Sequence, residues 1–257
     1  MTATEKTRKK VWIIIFLIAV LCCVGCLVAL IVSRWGYEDL EKLRSDVKVS
    51  SEVVSSKAPV SVETPVDFEE LQRANPDIYA WINVPGTVID YPILQHPENN
   101  AFYLNHTVNG NSSRYGSIYT ESYNKKDFSD FNTVIYGHNM LNGTMFGTLK
   151  RFRNRDFFKE NRVIHIYMPG RIMKYEIFAA YIWNDSHILL SYDFVDPVLR
   201  KGYLDMIFNT RNMSANIADD VPVTINDKII TLSTCTSKDN ERYLVQAVRT
   251  YDSYEQE

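Results

Sequence analysis

Twenty-two consecutive residues, 11–32, carry no Asp, Glu, Lys or Arg. As a helix rising 1.5 Å per residue, such a run is about 33 Å long, against roughly 30 Å for the hydrocarbon core of a bilayer. A cleaved signal peptide would have a shorter apolar region, roughly 7–15 residues, ending in a small-residue cleavage site. Here the run ends at Ser33, Arg34 and Trp35. The sequence thus predicts one uncleaved transmembrane helix. Lys6, Arg8, Lys9 and Lys10 precede it, and a basic flank stays on the cytoplasmic side. Residues 1–10 then form a cytoplasmic tail and everything after the run lies outside the cell. Trp35 and Tyr37 fall where amphipathic rings favour the outer interface.

Composition adds exclusions. With 46% hydrophobic and 23% charged residues the chain is not a disordered one, and 10 Gly and 9 Pro rule out a collagen-like repeat. A net charge of -3 gives the whole chain no electrostatic reason to seek nucleic acid. Residues 33–66 read as a stalk: a charged stretch, then a Ser-, Val-, Glu- and Pro-rich segment without helical or strand period. Residues 67–257 read as a single extracytoplasmic domain.

Within that domain, Asp67 is a plausible N-cap for a short helix with Phe68 and Leu71 on one face, stopped by Asn75 and Pro76. Ile78, Trp81, Ile82 and Val84 lead to a Pro85-Gly86 turn. Short β-rich runs follow at 88–94, 116–120, 132–136, 163–168, 173–182, 222–225, 228–234 and 243–248. So many short strands indicate an all-β sandwich or barrel. Two helices interrupt them. One carries Met145, Leu149 and Phe152 on a shared face. The other starts at Asp196 with Pro197 at its first position, with Leu199, Tyr203, Met206 and Ile207 expected inside.

Cysteine usage narrows the chemistry. Cys22, Cys23 and Cys26 lie inside the uncharged run, where they serve as small apolar filler. Cys235 is the only thiol beyond it, so no intramolecular disulfide framework exists there. Cys235 ends the run Thr231-Leu-Ser-Thr-Cys. Six polar residues later Arg242 opens the next strand, a spacing that suits neighbouring antiparallel strands and places the guanidinium beside the thiol. A guanidinium there favours thiolate and can donate hydrogen bonds to an oxyanion. Of the five His, His165 reads as a core or edge residue, and His96, His106 and His187 as solvated. His138 stands apart. It follows the apolar strand ending at Tyr136 and Gly137 and heads a loop, a position suited to a proton carrier.

Tyr136-Gly-His-Asn139 with Thr144-Met-Phe, Thr231-Leu-Ser-Thr-Cys235, and Arg242 at the head of the last main strand together resemble the sortase family, class B. Further matches follow in order and spacing: Trp81-Ile-x-Val-Pro-Gly-Thr-x-Ile-Asp-Tyr-Pro-Ile, Asn100-Ala-Phe-Tyr-Leu104, Gly116-Ser-Ile-Tyr, and a helix over 196–209 like the class B insertion. The resemblance spans nearly all of 68–250. It implies a mainly β fold: a sortase-like eight-stranded β-barrel with N-terminal helices and a helix inserted between late strands. It also implies a cysteine transpeptidase on a Gram-positive-type cell surface. The enzyme would cut an Asn-Pro-x-Thr-type C-terminal sorting signal of secreted proteins after Thr. It would then join the new terminus to an amine of peptidoglycan or its lipid-linked precursor.

On that resemblance Cys235 is the nucleophile, His138 the general acid and base, and Arg242 the stabiliser of substrate and oxyanion. Asn100, Leu104, Ser233, Leu189 and Leu190 border the substrate groove. Thr236 stands where some class B members carry an acidic residue. No cofactor is expected. The acidic residues show no calcium-loop spacing, so no metal is expected either. The rivals are a hydrolase of the same peptide, and a non-catalytic surface module, which predicts a buried, unreactive Cys235.

Overall fold

The computed structural model describes residues 12–28 and 64–254. Residues 12–28 are helix α1, the described part of the uncharged run. Residue 11, residues 29–32, the basic tail and most of the stalk (33–63) lie outside the described residues. Seventeen helical residues extend about 26 Å, short of the roughly 30 Å of a hydrocarbon core. Among the described residues no helix is long and apolar enough to cross a membrane.

The β-rich runs become β1 (Ile78–Asn83), β2 (Asp90–Leu94), β3 (Ile118–Thr120), β4 (Asn132–Tyr136), β5 (Val163–Met168), β6 (Arg171–Asn184), β7 (Asn216–Ile217), β8 (Ile229–Cys235) and β9 (Glu241–Asp252). They pair in the order β5-β1-β2-β3-β4-β8-β9-β6-β7, and β6 also pairs with β5. Eight strands thus form a closed ring, with β7 added on β6. Closure leaves no long edge to be covered. Two pairings are parallel, β2 with β3 and β4 with β8; the others are antiparallel. Pro92 is tolerated inside β2 where β1 is its partner, since β3 joins β2 only from Ile93.

Helices close the ring's surroundings. α2 (Phe68–Ala74) starts at Asp67, whose side chain accepts from Glu70 N, and ends at Asn75. Met145, Leu149 and Phe152 are buried together, but as a loop and a 3-10 turn (Leu149–Arg153), with α3 (Arg155–Glu160) capped separately by Asn154. α4 (Ile188–Ser191) and α5 (Pro197–Phe208) lie between β6 and β7, and Asp196 caps α5 through Val198 N. The inner face of α5 is Tyr203, Leu204 and Ile207. Leu199, expected inside, is exposed, because α5 packs through its last two turns. The expected strand at 222–225 is irregular. Pro222 has no N–H to give a ladder, and the Asp227 carboxylate instead binds Thr224 through its N (2.6 Å) and Oγ1 (2.7 Å).

A buried polar network locks the strands that carry the site. Gln246 on β9 donates to Tyr203 Oη (2.7 Å) and Thr231 Oγ1 (2.8 Å), and its Oε1 accepts from Tyr181 Oη at 3.0 Å. Thr231 Oγ1 in turn donates to Asn132 Oδ1 at 2.8 Å. α5, β4, β6, β8 and β9 are thereby held in one register. A fully satisfied buried network fixes a unique arrangement where an apolar core would allow sliding.

Candidate active site

Cys235 is the last residue of β8 and is exposed to solvent. The antiparallel register places it directly opposite Arg242, which also faces Trp183 on β6. The six-residue connection read from the sequence therefore does bring thiol and guanidinium together. Arg242 Nη1 donates to the carbonyls of Asp239 (3.0 Å) and Glu241 (3.1 Å). The loop after Cys235 thus holds the guanidinium by one nitrogen. Among the described residues Nε and Nη2 have no protein partner.

His138 arrives from the other side of β8. The parallel register pairs Tyr136 with Ser233. Gly137 N then donates to Ser233 O (3.2 Å), and Thr234 Oγ1 donates to Gly137 O (2.7 Å). Two residues beyond that pair, on strands running the same way, stand His138 and Cys235. The main chain of His138 is pinned where its carbonyl accepts from Phe146 N at 2.9 Å. Its imidazole Nε2 lies 2.6 Å from Leu104 O. A carbonyl oxygen only accepts, so Nε2 carries a proton, and in the neutral ring Nδ1 is the free acceptor.

These groups share a cleft of about 420 Å³ with Leu104, Ser233, Tyr119, Tyr136, Trp183, His187 and Ile188. Leu104 and Ser233, which the resemblance sets at the substrate groove, both line this cleft, and the Leu104 carbonyl meets His138 there. Asn100 does not line the cleft; its Oδ1 accepts from Ser122 N at 2.8 Å and steadies the turn after β3. Leu189 and Leu190 border a separate cleft, because α4 turns them away. Ile188, one residue earlier, forms the wall instead.

His187 is not a solvated residue. Its Nε2 meets Glu121 Oε2 at 2.6 Å, and its ring lies against Tyr123 and Tyr136. Burial and the Glu121 carboxylate push the Tyr136 hydroxyl far above its ordinary range, and burial, Glu121 and Cys235 do the same to Tyr119. Both hydroxyls stay protonated at any physiological pH and face the cleft as neutral groups. Among the described residues there is no cluster of side chains able to hold a metal ion.

A closed eight-stranded barrel whose mouth gathers an exposed thiol, an imidazole and a guanidinium marks a cysteine transpeptidase. The family model for the sortase domain matches residues 82–250, and the chain belongs to the sortase family, within its class B. It is 34% identical to sortase B of Listeria monocytogenes over 71% of this chain and 73% of that one. The structure of Clostridium perfringens sortase B superposes with a TM-score of 0.65 at 34% identity, covering 72% of this chain and all of that one. A Staphylococcus aureus sortase B–substrate complex superposes at 0.64 with 31% identity, over 71% and 83% of the two chains. The protein is thus a cysteine transpeptidase acting on sorting signals.

Proposed function

We propose that this sortase is anchored by residues 11–32, with residues 1–10 in the cytoplasm and the barrel outside on a stalk of residues 33–66. There it cuts an Asn-Pro-x-Thr-type signal after Thr and transfers the acyl group to a peptidoglycan amine. The register of β4 and β8, which sets His138 beside Cys235 with Arg242 opposite, is the observation that carries this reading.

The thiol gives its proton to His138 Nδ1 as sulfur attacks the Thr carbonyl. Arg242, through the nitrogens its loop does not occupy, donates to the oxyanion that forms. The C–N bond then breaks, the departing amine takes the proton from Nδ1, and a thioester remains. An incoming amine loses its proton to Nδ1 and attacks the thioester, and the sulfur leaves and takes that proton back from Nδ1. The Leu104 carbonyl holds Nε2–H throughout, so one face of the imidazole performs both transfers.

The test is turnover of a quenched peptide bearing the signal, with and without an added amine acceptor. Cys235→Ala loses all turnover, and His138→Ala loses about 10²–10⁴-fold, both with unchanged circular dichroism. Residual turnover in Cys235→Ala overturns the assignment of the nucleophile. For the topology, protease added to intact protoplasts removes the barrel; a protected barrel overturns the orientation.

A further inference from the structure

Behind α4 lies a second cleft, of about 610 Å³, lined by none of Cys235, His138 and Arg242. One side is aromatic: Tyr192 and Phe194 stack at 5.8 Å between centroids, and Phe194 meets Phe131 at 5.3 Å. The other side carries Lys125, Arg200 and Lys228. Arg200 is fixed, with Nε on Phe194 O (2.5 Å), Nη1 on Ile225 O (3.2 Å) and its plane over the Phe131 ring. Among the described residues the ammonium groups of Lys125 and Lys228 have no ion-pair partner.

Two carboxylates share the cleft. Asp130 Oδ2 is occupied by Asn124 Nδ2 (3.1 Å) and Lys125 N (2.7 Å), and Asp193 Oδ1 by Val195 N (2.9 Å). Both are engaged with loop donors. The partly buried Lys228 accordingly titrates below the ordinary lysine value, because of burial and the nearby charges of Arg200, Arg249 and Lys125; Asp130 offsets this only in part. Three cations thus face two carboxylates across this cleft, which leaves one positive charge in excess.

We propose that this cleft binds an oxyanion, phosphate or carboxylate, carried on an aromatic or apolar body, with the anion between Lys125, Arg200 and Lys228 and the body on Tyr192 and Phe194. Leu189 and Leu190 border this cleft while Ile188 lines that of Cys235. An occupant therefore rests against the same short helix that walls the reactive thiol.

The test is calorimetric titration of the full-length chain in neutral phosphatidylcholine nanodiscs, using phenyl phosphate, benzoate and inorganic phosphate as probes. No turnover is measured, so the outcome is independent of the roles proposed for Cys235, His138 and Arg242. Saturable binding of phenyl phosphate, of benzoate, or of both is expected, tighter than inorganic phosphate and weakening as salt is raised. The double variant Lys125→Gln/Lys228→Gln, whose ammonium groups hold nothing in the fold, melts as the parent does and binds about ten-fold more weakly. Absence of saturable binding for both ring-bearing probes overturns the proposal. So does unchanged affinity in the double variant, or affinity indifferent to salt.

Discussion

The guanidinium of Arg242 spends Nη1 on the carbonyls of Asp239 and Glu241, which leaves a planar fork to face the cleft. A lysine at this position keeps the charge but cannot hold the loop and the oxyanion together, since an ammonium is a point charge without fixed directions. Arg242→Lys is therefore expected to lower kcat/KM for the quenched peptide by about 10²–10³-fold, the cost of one lost oxyanion donor. Near-normal turnover would reduce Arg242 to a simple electrostatic role. Cys235, Arg242 and His138 were legible as candidates, since each lies at a strand end in a local pattern (a lone thiol, a short polar connection, a glycine before an imidazole), and the resemblance to class B sortases assigned their roles. His187 was not. Its partner Glu121 is 66 residues away, and no local window reports a contact made by barrel closure. Leu189 and Leu190, expected at the substrate groove, border the second cleft in this structure, and Asn100 binds Ser122 N. The resemblance fixes a position in the chain, whereas the side a residue presents in a four-residue helix depends on how that helix is packed.

Elements with chemical punctuation were read well. Asp67 and Asp196 both cap helices through side-chain oxygens, the role their residue type favours by about 1 kcal/mol over alanine. β7 spans two residues and α4 four, too short for any hydrophobic period to register. Between β2 and β3, the segment that supplies the Leu104 carbonyl rests on Gly116. This glycine has φ +56°, and a Cβ there would come within 2.5 Å of Leu104 O and 2.7 Å of Tyr103 O. Both obstacles are backbone, so the segment itself must move. Gly116→Ala is expected to shift the carbonyl that holds His138 Nε2 and to lower kcat at least several-fold, with stability reduced by about 1 kcal/mol or more for a non-glycine residue in this region. Parent-like kcat and melting temperature together would show that the imidazole does not depend on this support.

At the scale of the whole molecule, the seam between β6 and β9 ends in a carboxylate between two guanidinium groups. Asp252 accepts from Arg171 Nε at 2.9 Å and Nη2 at 2.5 Å, and pairs with Arg249 Nη1 at 3.0 Å. Burial pushes the Asp252 carboxyl up, but the hydrogen bonds and charge of Arg171, with a backbone bond from Tyr254 and the charge of Arg249, outweigh it and hold the value below the ordinary one. A carboxyl lowered in the folded state adds stability that is complete above its unfolded value of about 3.9 and is lost as pH falls through the folded one. Asp252→Asn is expected to cost about 3 kcal/mol at neutral pH, since it removes the anion that the Arg171 guanidinium grips with two nitrogens. The loss should shrink in melts recorded toward pH 2; an equal loss at both pH values would remove Asp252 from the acid response. The parallel pairing of β4 with β8 bears on time as well as place. The contact between Gly137 and Thr234 joins residues 97 positions apart, and pairings of such long range are slow to form. An unfolded chain therefore carries its thiol with no imidazole held beside it. On the roles proposed above, reactivity begins only when the ring shuts, and a nascent or misfolded copy has no assembled site with which to acylate itself on the wrong peptide.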